Sequence, residues 1–211
     1  MGKRLACHQR RQSCGSRDGS TCETAQAPVV KPWREEFDSP LGHKWIYLQN
    51  PDSSRYSISG GELTLKGYKP LQENDHPTYV GVRQEDPTIA VETKVRIKDP
   101  SAEAGLVLYQ SPDGFASVGV ERGKARLHLK LKSVDTVIGE AAVKNNEAVV
   151  RICSKDGLMY EFFVDGNPLG NLNTSLLSSE VVGGFTGVTL GMYAVGGEAR
   201  FDYFDYKAVS E

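Results

Sequence analysis

Gly183-Gly184-Phe185-Thr186-Gly187, leading into Gly191-Met192-Tyr193 and then Ala199-Arg200-Phe201-Asp202-Tyr203-Phe204-Asp205-Tyr206, is the stretch that decides the fold class. Apolar and aromatic residues alternate with polar ones, and a Gly196-Gly197 turn joins the two runs, so the segment reads as two strands. A period of two sends successive side chains to opposite sides of a strand, leaving one side for a core and one for water.

The same signature runs upstream. Glu62-Leu63-Thr64-Leu65-Lys66 alternates cleanly. Residues 88–97 place Ile89, Val91, Thr93, Val95 and Ile97 on one face, and residues 126–132 do the same with Leu127, Leu129 and Leu131. Pro112-Asp113-Gly114, Arg122-Gly123-Lys124, Lys155-Asp156-Gly157 and Asp165-Gly166-Asn167 fall between these runs, where glycine supplies the positive φ of tight turns. Residues 149–164 therefore read as a hairpin closed at Asp156-Gly157. No long helical stripe interrupts the pattern, and residues 175–182 offer at most one short turn of helix. Antiparallel strands at such close spacing predict an all-β sandwich or barrel with one wet face per sheet.

At 211 residues the chain has room for one domain, or one domain and a tail. Residues 1–33 are polar and aperiodic and read as a tail or linker; residues 34–211 form the patterned domain. A formal net charge of −2 provides no broad basic field, which argues against nucleic acid as a partner. No run approaches the roughly 18 apolar residues of a membrane span, so no membrane partner is expected. The N-terminus lacks the apolar core of a secretory signal, because Arg10 and Arg11 interrupt it; the chain is read as intracellular or as lacking its true N-terminus. Cys7, Cys14 and Cys22 are spaced by seven and eight residues, unlike the short paired spacing of zinc motifs. Cys153 follows Val149-Val150-Arg151-Ile152 and reads as a buried thiol at a strand end.

Several segments, taken in order, resemble the accessory β-sandwich that follows the catalytic domain in family 43 glycoside hydrolases of the β-xylosidase and α-L-arabinofuranosidase type. They are Glu36-Phe37-Asp38-Ser39-Pro40 with Trp45, Leu48-Gln49-Asn50-Pro51-Asp52, Tyr56-Ser57-Ile58, and Gly61-Glu62-Leu63-Thr64-Leu65. Further along come Pro77-Thr78-Tyr79-Val80-Gly81-Val82-Arg83-Gln84, Glu103-Ala104-Gly105-Leu106-Val107, Phe185-Thr186-Gly187 and Phe201-Asp202-Tyr203-Phe204. The resemblance spans about residues 34–207 and implies a concanavalin A-like jelly roll. It also implies a setting in hemicellulose breakdown, in which the catalytic carboxylates lie in an upstream five-bladed propeller. Nothing ahead of Trp33 is long enough to be that propeller, so the expected role is accessory, with a glycosidase catalytic domain as partner and no catalytic residue in this chain.

The resemblance assigns Phe185 to closing the substrate pocket of such a partner, through shape and exclusion of water. It also implies a structural Ca²⁺. Glu36 and Asp202 flank inward Phe37, Phe201 and Tyr203, so both point away from the core and offer hard oxygen ligands if the first and last strands are neighbours. Two alternatives stay open. A free-standing carbohydrate-binding module for xylan- or arabinan-type oligosaccharides needs exposed aromatic faces; Trp33 and Tyr68 are the free candidates, while Trp45 shares a strand face with Tyr47 and reads as core. A small glycoside hydrolase needs two carboxyl groups about 5–9.5 Å apart; Glu35, Glu36, Glu92, Glu121, Glu140 and Glu161 are available, and the sequence selects no pair among them. The four histidines, His8, His43, His76 and His128, sit in the tail, two loops and the polar face of a strand.

Overall fold

The structure is a computed structural model that describes residues 31–184 and 186–208. The expectations placed on His8, Cys7, Cys14, Cys22 and Phe185 lie outside the described residues. The chain enters through β1 (Trp33–Glu35), β2 (Ile46–Tyr47), β3 (Tyr56–Ser59), β4 (Glu62–Lys66) and β5 (Thr78–Arg83). It continues through β6 (Ile89–Ile97), β7 (Glu103–Ser111), β8 (Gly114–Glu121), β9 (Lys124–Leu131) and β10 (Val134–Ala142). Next come β11 (Glu147–Ser154), β12 (Met159–Val164), β13 (Asn167–Asn173) and the single-turn helix α1 (Ser179–Val182). It closes with β14 (Thr189–Val195), β15 (Glu198–Phe201) and β16 (Phe204–Ala208).

Two antiparallel sheets face each other, which is the expected all-β sandwich of jelly-roll type. The first sheet runs β13-β12-β11-β6-β15-β4-β3, with β16 also on β6 and β1 on β16; the second runs β10-β9-β8-β7-β14-β5-β2. Between them lies one core, to which β6 contributes Ile89, Val91, Val95 and Ile97, β9 contributes Leu127 and Leu129, and β7 contributes Leu106 and Leu108. Each such side chain, fully buried, is worth about 1.5–3 kcal/mol of transfer free energy. The 149–164 hairpin is present as β11 on β12, from Val150 opposite Val164 to Cys153 opposite Glu161. Cys153 is fully buried there, and burial raises its thiol above the usual range.

The two strands read in the closing segment are present and joined at Gly196-Gly197, but they lie in different sheets: β14 pairs with β5 and β7 in the second, while β15 pairs with β4 and β6 in the first. The turn carries the chain across the sandwich, with Gly196 at φ +73. The segment departs from the sequence reading beyond that turn, where residues 198–208 are one strand in pattern but two in structure. β15 lies against Val95–Ile97 of β6 and β16 against Ile89–Glu92, with a break at Asp202-Tyr203. The break lets one edge of β6 receive two strands whose far sides meet different partners, β4 and β1. At the break Asp202 N–H donates to Lys94 O at 3.1 Å, and the Thr93 hydroxyl donates to Tyr203 O. Thr93, the one polar member of the apolar face of β6, is fully buried because it satisfies that carbonyl.

Candidate functional site

Alternation gives the second sheet an outward face, but part of that face is dry. Tyr79, Val107, Tyr109, Phe115 and Tyr193 are buried there with Leu71, apart from the main core. Cross-strand register explains it: Gly191 stands opposite Gly81, and Gly105 opposite Gly119. A Cβ on Gly191 would lie 2.4 Å from the Tyr79 ring, and one on Gly119 would lie 2.3 Å from the Tyr193 hydroxyl. The glycines thus make a trough in which two aromatic rings lie along the sheet. Tyr79 donates to Thr189 Oγ1 at 2.7 Å and Tyr193 to Glu103 Oε1 at 2.5 Å, and desolvation holds both phenols far above their ordinary range. They act as fixed hydrogen-bond donors.

Gly183, Gly184, Thr186 and Gly187 sit at one end of this face. α1 leads into them, with Gly183 N–H donating to Ser179 O at 2.9 Å, and β14 follows them. Gly183, Gly184 and Gly187 have φ of +92, +86 and +71. Arg83, the last residue of β5, donates from Nη1 to Thr186 O at 3.1 Å, and Gln110 of β7 donates from Nε2 to Gly183 O at 3.4 Å. A cleft of about 270 Å³ opens beside Thr186 and Gly187, walled by Tyr47, Leu48, Arg83, Tyr109 and Gln110. Desolvation, with Asp113 adding to it, pushes the Tyr109 phenol up to about 12.

Across Arg83 lies a second cleft, of about 250 Å³, at the seam where β1 and β16 of one sheet meet β2 and β5 of the other. Trp33, Lys44 and Tyr206 line it. The Trp33 ring lies parallel to Tyr206 at 5.5 Å between centroids, and the Lys44 ammonium sits 3.3 Å from its centre. Trp33 is therefore half-buried in an aromatic cluster with Phe204 and Trp45, with a cation over its ring, rather than freely presented. Tyr68 is 48% exposed, with the Arg55 guanidinium 4.0 Å over its ring, and lines neither cleft. Trp45 is core, as expected, but it precedes β2 and shares no strand with Tyr47.

The first and last strands are neighbours through β1 and β16, and Glu36 and Asp202 are both exposed beyond the ends of that pairing. Their oxygens suit calcium chemically, yet Glu36 Oε1 already accepts from Arg34 Nε at 2.5 Å. Calcium takes six to eight oxygens, and among the described residues no three His, Cys, Asp or Glu side chains are gathered. Several carboxylates considered for hydrolysis are also engaged. Glu92 accepts from the Tyr203 hydroxyl at 2.8 Å, Glu121 meets Arg126 at 2.6 Å, and Glu161 meets Lys155 at 3.5 Å. Lys124 and Arg126 hold Glu140 below the ordinary carboxylate range, the opposite of a general acid. Sequence reasoning missed Gln110; its signal is a polar residue just after the run Leu106-Val107-Leu108-Tyr109.

The model of the beta xylosidase C-terminal concanavalin A-like domain family matches residues 34–207. The chain belongs to that family. It is 32% identical to the non-reducing end alpha-L-arabinofuranosidase BoGH43B of Bacteroides ovatus, over 92% of this chain and 42% of the relative. The solved structure of the Bacteroides ovatus xyloglucan-locus GH43B superposes with a TM-score of 0.78 at 29% identity, covering 85% of this chain and 40% of that one. The xylan beta-1,4-xylosidase of Bacillus halodurans C-125 shares the fold at a TM-score of 0.74 and 22% identity, over 84% of this chain and 39% of the other. The chain thus spans about 40% of the length of these relatives, corresponding to their accessory sandwich.

Proposed function

We propose that this GH43-type C-terminal domain supports hemicellulose breakdown by packing on a glycosidase catalytic propeller and completing its substrate pocket, with Phe185 as the pocket-closing residue. The observation that carries this reading is the match to a family of xylosidase C-terminal domains, combined with the two-fifths share of its relatives that the chain spans. The positive-φ glycines Gly183, Gly184 and Gly187, bordered by an aromatic cleft, support the choice of docking end. A chimera tests it: this domain replaces the corresponding part of the Bacteroides ovatus arabinofuranosidase, and turnover of chromogenic arabinofuranoside and xyloside is measured. The expected result is activity well above that of the catalytic part alone, with Phe185→Ala lowering kcat/KM while the two domains stay associated. Activity no better than that of the catalytic part alone would refute the reading.

The seam cleft favours one second reading, a free-standing carbohydrate-binding module, because Trp33 lines a space large enough for a single sugar ring, which would reach the ring face only by displacing Lys44. Calorimetry with xylo- and arabino-oligosaccharides separates the two readings. Heat of binding that is lost in Trp33→Ala supports the module.

A further inference from the structure

Gln110 is placed where an apolar sandwich has no need of it. Strict alternation along β7 would continue Leu106 and Leu108 inward with residue 110. Instead the register with β8 slips: Tyr109 stands opposite Phe115, and Ser111 opposite Gly114. Gln110 is the extra residue of that bulge. Bulges re-aim side chains and concentrate beside functional sites, and this one makes Gln110 a wall of the cleft beside Thr186 and Gly187. The side chain is costly to keep there. It is only 6% exposed, and its Oε1 has no hydrogen-bond partner among the described residues. A buried acceptor left unsatisfied destabilises the fold. Among the described residues the one hydrogen bond of the amide is the donation from Nε2 to Gly183 O, while the hypothetical Cβ of Gly184 would lie 3.8 Å from the same Nε2.

We propose that Gln110 is a positioning residue: the bulge delivers its amide to Gly183 and anchors the backbone there, as Arg83 anchors it at Thr186. Gly183, Gly184 and Gly187, all at positive φ, have unusual freedom in the unfolded chain. Two side-chain donors, from β5 and β7 on either side of β14 in one sheet, restrain these residues without filling the cleft. The purpose of the anchor rests on the accessory reading above; the anchor itself does not, and is tested on this chain alone.

The test compares wild type with Gln110→Leu, which keeps the volume but has neither donor nor acceptor, and Gln110→Glu, which keeps an acceptor and loses the donor. Thermal melting and amide hydrogen exchange at Gly183, whose N–H is bonded to Ser179 O, are read by NMR. For Gln110→Leu the expected result is an unchanged or raised Tm, because the unsatisfied acceptor is gone, together with exchange at Gly183 at least tenfold faster. Gln110→Glu should speed the same amide, whereas Arg83→Ala, which removes the bond to Thr186 O, should leave it unchanged. A lowered Tm in Gln110→Leu with unchanged glycine exchange would make Gln110 a packing residue and overturn the proposal. So would unchanged exchange in both Gln110 variants, whatever the chimera shows.

Discussion

Replacing Thr93 by valine tests how the closing segment is held. Valine keeps the shape of threonine but has no hydroxyl, so Tyr203 O at the strand break loses its side-chain donor in a fully buried setting. An unsatisfied buried carbonyl costs about 1–3 kcal/mol, and the added methyl recovers only part of that. A net loss of about 1–2 kcal/mol, at about 2–4 °C per kcal/mol for a domain of this size, should make Thr93→Val melt about 2–8 °C lower than wild type. Calorimetry measures the shift. Hydrogen exchange locates it, since the Asp202 amide bonded to Lys94 O sits in the same break and should lose protection. Thr93→Ser retains the hydroxyl and should keep that amide protected, although it loses a methyl. A Thr93→Val protein that melts at or above the wild-type temperature would refute the account of why a polar residue sits on the apolar face of β6.

The glycine trough predicts that Gly191→Ala overpacks against the Tyr79 ring and costs about 1–3 kcal/mol in denaturant unfolding; near-neutrality would show that the ring moves aside. Burial raises the phenols of Tyr79, Tyr109 and Tyr193 above their unfolded value of 10.0, so their contribution is intact below pH 10 and is lost as pH rises beyond it. Phenolate absorbance should therefore appear together with loss of β-sheet circular dichroism above about pH 10, whereas ionisation of all tyrosines in a still-folded protein would contradict the burial argument. If Glu36 and Asp202 hold the structural Ca²⁺ that the family resemblance implies, added Ca²⁺ should raise Tm, chelation should lower it, and the response should vanish in Asp202→Asn. Because Arg34 competes for Glu36, Arg34→Gln should strengthen the calcium response; melting that is indifferent to calcium in both proteins would remove the metal.

Much of the sandwich was legible because its strands alternate. The apolar faces of β6 and β9 match residue for residue what periodicity predicts, since a two-residue repeat needs no knowledge of partners. Trp33 was harder to judge: a tryptophan at the edge of a patterned domain reads as available, yet Tyr206, from the far end of the chain, stacks on it. The role of Gln110 could not be read for a related reason. Its role depends on a slip in register between β7 and β8 and on Gly183, which is 73 residues away in the chain.

The alternating pattern and its punctuation by glycine determined the fold class, the hairpin at 156–157, the burial of Cys153 and, through the ordered segments, the family. These are local or additive signals, carried by side-chain chemistry at short spacing. Which sheet each half of the closing segment joins, why it breaks at Asp202-Tyr203, and which side chains hold Gly183 and Thr186 were decided only in tertiary structure. Hydrogen-bonding edges and buried carbonyls choose their partners across the whole chain, and a sequence pattern records that a strand needs a partner without recording which one it finds.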